Sequence, residues 1–241
     1  MYKELPRDET HLIMLSHFEL DRRIGGFPVP TLTLIEGVND SGKSVFVQQI
    51  TYGALKNGYR VRYITTENTV RSLIRQMESL NLNIKEYFIA GRMKITELHV
   101  EGISWNELIS KRYLNMLLQV IKLDDRDNVF VIDSLTYVAT HAIRKHILEF
   151  FSRLRKIVDN AVKSVFITLH PHAFGEDLLI RLRSICDGHI IMDIKDLGGR
   201  TIRFIKINKL RGATKAVNVS VSFEVDPAFG IKVIPFSQAR A

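Results

Sequence analysis

The sequence is poor in the features that mark secreted, membrane-spanning or metal-clustered proteins. Of 241 residues only Cys186 is a cysteine, which excludes an internal disulfide; without metal-ligating neighbours, its expected role is that of a small buried hydrophobe. No run approaches the ~18 consecutive apolar residues that a spanning helix needs. The opening residues carry Lys3, Glu4, Arg7, Asp8 and Glu9 and no apolar signal core, so secretion is not expected. Internal repeats and low-complexity tracts are also lacking. These absences point to a reducing cytoplasm. What remains is an ordinary globular composition, 46% hydrophobic and 25% charged, in a length that suits one α/β domain over residues 1–241. The net charge of +8 suits an anionic partner, whether nucleotide, nucleic acid or membrane surface, and does not choose among them.

The chain is organised around Gly37-Val38-Asn39-Asp40-Ser41-Gly42-Lys43-Ser44, a complete G-x-x-x-x-G-K-[ST] phosphate-binding loop. The apolar run Thr31 to Glu36 reads as a buried strand before it, and Val45 to Leu55 reads as a helix after it. Such a loop turns tightly at its glycines, points backbone N–H groups inward at phosphate oxygens, and adds the positive end of the helix dipole. Gly37, Asn39, Asp40, Ser41, Gly42, Lys43, Ser44 and Val45 are therefore the expected nucleotide-binding positions. Lys43 would reach the β- and γ-phosphates and Ser44 would ligate Mg²⁺.

A second signature follows roughly ninety residues later, at a separation that suits a P-loop protein. Val129-Phe130-Val131-Ile132-Asp133 is an apolar strand with a carboxylate at its tip, the Walker B pattern, and Asp133 would hold Mg²⁺ through its water shell. Between the two motifs, Val61 to Thr66 reads as a strand that carries Glu67 to the ligand-facing edge of an open sheet. A helix is expected from about Thr69 to Leu80. The segment Tyr87 to Leu98 is expected to hold two short strands about Gly91. Ser104 to Glu107 fits a capping box opening a helix to about Ile121, with Trp105 as a packing anchor. Asp124 to Asn128 reads as a solvated loop.

Residues 142 to 160 alternate as an amphipathic helix whose outer face carries Arg144, Lys145, Arg153, Arg155 and Lys156. That face is either solvated or a nucleic-acid or partner surface. Lys163 to Leu169 is a further core strand, ending at His170-Pro171-His172, where His170 is a candidate sensor of the γ-phosphate. A helix over about Asp177 to Ile185 and a strand over Gly188 to Asp193 follow. From Leu197 the pattern changes to antiparallel strands, Thr201 to Asn208, Val217 to Val225 and Gly230 to Ile234, with a basic hairpin tip at Lys209 to Lys215.

Leu20-Asp21 with Gly25-Gly26, the loop Gly37 to Ser44, Thr65-Thr66-Glu67, Val129 to Asp133 and Lys209-Leu210-Arg211-Gly212 together resemble the RecA superfamily in its KaiC-like branch, over nearly the whole chain. The resemblance implies an α/β RecA-like three-layer sandwich with a mostly parallel central sheet and C-terminal antiparallel strands. It also implies ATP and Mg²⁺ as ligands and a homo-oligomeric ring, most often hexameric, with nucleotide at subunit boundaries. Glu67 would orient or deprotonate the attacking water, with Lys43 and Asp133 completing the catalytic set. Lys209 and Arg211 would reach across to the neighbour's γ-phosphate. The single-domain length and Asn68, where KaiC-like proteins often carry a second acid, further resemble the archaellum motor accessory proteins. That implies a scaffold or regulator at the cytoplasmic face of the membrane motor complex, partnered by the motor ATPase and other membrane-associated components. Ser134 after Asp133 and Asn68 after Glu67 leave Glu67 as the sole candidate base, so hydrolysis is expected to be weak or absent. The alternatives are a DNA-dependent RecA-like recombination or repair ATPase and a KaiC-like autokinase. Against the first, the sequence offers no separate N-terminal DNA-binding domain and no aromatic-interleaved basic loop for stacking single strands.

Overall fold

The structure is a computed structural model that describes residues 11–98, 102–197, 200–213, 215, 219–227 and 229–235. Its centre is β3 (Leu32–Gly37), six residues that are all buried. Branched aliphatic side chains on both faces suit a strand covered on both sides. The phosphate-binding loop connects it to α2 (Lys43–Lys56). Then come β4 (Val61–Thr65), α3 (Val70–Ser79), α4 (Lys85–Ile89), β5 (Met93–Glu97), α5 (Glu107–Leu123) and β6 (Val129–Asp133). The chain continues through α6 (Thr136–Thr140), α7 (Arg144–Ala161), β7 (Ser164–Leu169), a 3₁₀ turn (Pro171–Ala173) and α8 (Glu176–Ile185). It ends in β8 (Gly188–Leu197), β9 (Arg200–Leu210), β10 (Ser220–Asp226) and β11 (Gly230–Ile234). Ahead of β3, β1 (Leu12–Ile13) pairs with β2 (Phe27–Pro28) around α1 (Phe18–Ile24).

Among the described residues nine strands form one sheet, in the order β11-β10-β9-β8-β3-β7-β6-β4-β5. From β8 to β5 neighbouring strands are parallel, whereas β9, β10 and β11 add on antiparallel. Two apolar clusters cover the two faces. One joins Leu20 and Ile24 of α1, Phe46, Val47 and Ile50 of α2, and Leu73 and Met77 of α3. The other joins Leu114, Leu117 and Leu118 of α5, Ile147, Phe150, Phe151, Leu154 and Val158 of α7, and Leu178 and Leu182 of α8. The result is a three-layer RecA-like α/β sandwich with C-terminal antiparallel strands. The parallel strands all end on one edge, and the loop after β3 lies there, where ligands bind in open α/β sheets.

Three local expectations are corrected. Tyr87 to Leu98 holds the end of a helix and one strand, not two strands: Gly91 takes φ +65, and its N–H and that of Arg92 close α4 onto Phe88 and Tyr87 carbonyls, a left-handed helix ending. The cap of α5 is Asn106, not Ser104; its side-chain oxygen accepts from the Ile109 N–H. Asp124 to Asn128 is a loop with Asp125, Arg126 and Asn128 exposed, but Asp124 and Asp127 are not solvated. Arg62 donates to Asp124 (2.5 Å) and Asp127 (3.2 Å), Lys94 donates to Asp127 (3.0 Å), and Asp127 is only 1% exposed. Burial opposes ionisation of Asp124, but hydrogen bonds from Asp127 and Arg126 and the charge of Arg62 outweigh it and hold its carboxyl well below the usual range. The basic partners come from β4 and β5, which the local composition does not reveal. Of the basic hairpin tip, position 214 lies outside the described residues, as do positions 217 and 218 of the strand expected from Val217.

Candidate nucleotide-binding site

The loop's sequence dictates its path. Asp40 and Gly42 both take left-handed backbone conformations, φ +58 and +89, the second favoured by glycine. A Cβ on Gly37 would come within 2.6 Å of both the Ser41 Oγ and the Met192 carbonyl, and one on Gly42 would come 3.0 Å from the Phe223 ring. Gly37 therefore admits only the bare backbone, and a side chain at Gly42 would be strained by its φ and crowd the Phe223 ring. Ser41 Oγ and Lys43 Nζ both donate to the Val38 carbonyl, at 2.7 and 2.6 Å, so the lysine ammonium is parked on the loop itself. Burial pushes the Lys43 pKa down, against the opposing pull of Asp133, Glu67 and Asp40.

A cleft of about 520 Å³ opens over this loop, lined by Asn39, Asp40, Gly42, Lys43, Ser44 and Val45. Its other walls bring Glu67, Asp133, Ser134 and His170 to the same space. The parallel register explains the convergence: Thr65 of β4 lies beside Asp133 of β6, and Leu169 of β7 beside Glu36 of β3. Strand tips that are far apart in sequence thus meet at one edge.

Asp133 is fixed by its neighbours. Tyr63 OH donates to Oδ2 at 2.6 Å, and Thr168 and Ser44 hydroxyls donate to Oδ1 at 2.7 and 3.3 Å. Burial and the carboxylate together push the Tyr63 phenol well up, so it remains a donor. A hydroxyl from the loop and a carboxylate from the strand tip, both oxygen donors, fit a Mg²⁺ that keeps several waters. Among the described residues no group of three or more His, Cys, Asp or Glu gathers as an all-protein metal cage.

Glu67 lies two residues after Thr65, whose Oγ1 accepts from the Glu67 N–H at 3.2 Å. Ser134 Oγ donates to Glu67 Oε1 at 3.1 Å, and Thr66 brackets the Ser134 backbone with two further hydrogen bonds. The Asp133–Ser134 peptide is cis. Partial burial and the Asp133 charge raise the Glu67 pKa above its ordinary value, with Ser134 and Lys43 working the other way. His170 also lines the cleft; burial, Lys43 and His172 hold its pKa down.

Lys209 and Arg211 do not join this cleft. Lys209 sits opposite His189, which lies beside Leu34 near the amino end of β3, roughly 10 Å along the strand from Gly37. Its ammonium donates to the carbonyls of Arg183, Ser184 and Cys186 (3.0, 3.3 and 2.5 Å) and so caps the end of α8. Arg211 is 58% exposed in its side chain, with one long ion pair to Asp187 (3.7 Å). Sequence reasoning missed Tyr63, Thr168, Thr136, Gln76, Arg203 and Val225. The first two could have been found as polar residues on inward faces of strands flanking Asp133. Arg203 and Val225 come from antiparallel strands whose distance from the loop only the register discloses.

A RecA-like sheet, a complete phosphate-binding loop and a Walker B aspartate paired with the loop serine define a P-loop ATPase fold. The family model described as "ATPase: KaiC" matches residues 17–238, and the chain belongs to that family. Among its relatives, the archaeal flagellar ATP-binding protein FlaH of Sulfolobus acidocaldarius is 33% identical over 230 residues, 95% of this chain and 100% of that protein. The FlaH of Methanocaldococcus jannaschii is 30% identical over 228 residues, 93% of this chain and 96% of the relative. The crystal structure of the flagellar accessory protein FlaH from Methanocaldococcus jannaschii superposes with a TM-score of 0.81 at 27% identity, covering 94% of this chain and all of that one.

Proposed function

We propose that residues 1–241 form one ATP-binding domain that works as a ring-forming regulator or scaffold of the archaellum motor, with weak or no hydrolysis. The observation that carries the nucleotide part is the convergence of Lys43, Ser44, Asp133 and Glu67 on one cleft. On nucleotide binding Lys43 would leave the Val38 carbonyl for the phosphates, Ser44 and Asp133 would hold Mg²⁺, and the loop N–H groups would cradle the β-phosphate. Mg²⁺ held there would screen the phosphate charge. Glu67, hydrogen-bonded to Ser134 rather than backed by a second acid, is the carboxylate that would act as base on a water, which supports slow turnover. ATP then acts as an assembly and conformational ligand, favouring whichever state binds it better.

The motor assignment rests on full-length similarity to proteins named as archaeal flagellar ATP-binding proteins. The absence, among the described residues, of a helix long and apolar enough to cross a membrane agrees with a peripheral partner. In the ring, the exposed Arg211 faces a neighbour's γ-phosphate and stabilises its charge, with Lys209 holding the hairpin base against α8. The test is pull-down by the motor ATPase with and without Mg·ATP, using the wild type and Lys43→Ala. ATP-dependent capture that Lys43→Ala loses is expected; failure to bind in both conditions would sink the motor assignment while leaving the ATP site standing.

A further inference from the structure

α3 has a face that the nucleotide cleft does not use. Gln76 of this helix lines the cleft, whereas Val70, Arg71, Ile74 and Arg75 line a separate open groove of about 540 Å³, bordered also by Lys85 of α4 and Glu97 of β5. Two ridges run along the groove at i, i+4 spacing. One is apolar, Val70 and Ile74, both half-buried; the other is basic, Arg71 and Arg75, both exposed. Side chains at that spacing stand about 5–6 Å apart on one face of a helix.

The charges of the groove are unequally satisfied. Lys85 Nζ meets Glu78 Oε1 at 2.6 Å, and Glu97 Oε1 accepts the Val70 N–H, so both carboxylates along the groove are engaged. Arg71 and Arg75 have no ion pair or side-chain hydrogen bond among the described residues. Like charges one turn apart destabilise a helix, and guanidinium groups hold carboxylates in bidentate pairs. The complement of this surface is therefore a pair of anions one helical turn apart, set beside apolar contact. A nucleic-acid strand supplies anions but fits poorly, because Glu78 and Glu97 would face its continuous phosphate backbone. The lining residues also include no aromatic ring on which a base would stack.

We propose that this face of α3 docks an acidic amphipathic helix of a protein partner, with carboxylates at i and i+4 pairing with Arg71 and Arg75 while apolar residues beside them rest on Val70 and Ile74. Ridges of equal spacing interdigitate along two packed helices, and an apolar helix face laid into a groove is a recurring mode of peptide recognition. The groove is a separate space from the phosphate-binding loop, so the docking stands whether or not that loop binds ATP.

The experiment follows the fluorescence anisotropy of a labelled helix-forming peptide, in which a leucine–glutamate pair recurs every fourth position, added to the full chain without nucleotide. The wild type should bind it. The same peptide with glutamine for glutamate, or with serine for leucine, should bind about tenfold more weakly, and so should the original peptide to Arg71→Ala/Arg75→Ala. Arg71→Glu/Arg75→Glu should lose the glutamate peptide and gain the one with lysine in its place, with circular dichroism as a check of folding. A general attraction of a basic chain for anions would survive the reversal and would not select lysine. Unchanged affinity for the glutamate peptide in the reversed variant, or no binding by the wild type, would overturn the proposal. Tighter binding of a single-stranded thymidine oligonucleotide, lost on reversal, would overturn it in favour of nucleic acid; self-association of the chain, lost on reversal, would do so in favour of a second copy.

Discussion

Lys43 and Glu67 sit in the same cleft and call for opposite experiments. Lys43→Ala removes a charge-assisted set of hydrogen bonds to phosphate, which are worth about 1.5–3 kcal/mol, so ATP affinity should fall roughly 10- to 100-fold in calorimetry. Glu67→Gln keeps the shape of the site and removes the base; ATP should bind with near-normal affinity while phosphate release stops. Because the Glu67 carboxyl is held above its ordinary value of 4.5, it becomes a base only as pH rises through that raised value. Any turnover of the wild type should therefore climb with pH from the mildly acidic range and level off, and Glu67→Gln should show no such limb. Phosphate release followed between about pH 5 and 8 tests both statements. At this scale the sequence was informative where a residue acts within a short motif. Gly37 to Ser44 could be read because the spacing is itself the mechanism. Arg203 could not, since nothing in Thr201 to Asn208 says which loop the third residue of a β-strand will face.

Among the elements, α7 and β3 each rest on a different force. The apolar stripe of α7 was legible from its three- and four-residue spacing, and Phe151 in that stripe is fully buried. Phe151→Ala should destabilise the fold by about 3–5 kcal/mol in urea unfolding. The end of β3 is held instead by charge. Glu36, 2% exposed, takes two hydrogen bonds from Arg183 (2.8 and 2.7 Å) and lies 3.1 Å from His189. Burial opposes its ionisation, but Arg183 and His189 outweigh it and hold the pKa below 4.5. A depressed carboxyl stabilises the fold fully above its unfolded value and loses that contribution as pH falls through the folded one. Arg183→Ala should therefore cost about 3 kcal/mol at neutral pH, as expected for stranding a buried charge, and the gap to wild type should narrow in acid below about pH 4.5. Urea midpoints across that range measure it. Neither this ion pair nor the Arg62, Lys94, Asp124 and Asp127 network was legible in the sequence, because each joins strands or helices whose neighbours are set only by the sheet order. The same applies to the missed helix α4, where one left-handed glycine outweighed a strand-like composition.

For the whole molecule, the site and the hairpin are at opposite ends of the central strands. Lys209 and Arg211 therefore cannot serve the cleft of their own chain, and the proposed ring gives Arg211 a place at the next one. Arg211→Ala should leave ATP affinity of the isolated chain within about twofold, yet abolish ATP-dependent assembly followed by light scattering. Lys209→Ala is a poorer probe, since it also strips the carbonyl ends of α8 of their donor. DNA-stimulated hydrolysis with a steep salt dependence would favour the recombination reading instead.

The position of β3 also bears on how the chain comes to be folded. The strand is complete early in synthesis, but its two partners, β7 and β8, begin at Ser164 and Gly188, so both of its edges stay open while well over a hundred residues emerge. Parallel pairings between such distant segments form slowly, and an open edge can recruit a foreign strand in the meantime. The phosphate-binding loop hangs from that strand and takes shape only when both flanks have closed. ATP can therefore act only late in folding, as a latch on the finished sheet. In refolding it should raise the yield of native protein without hastening the earlier collapse.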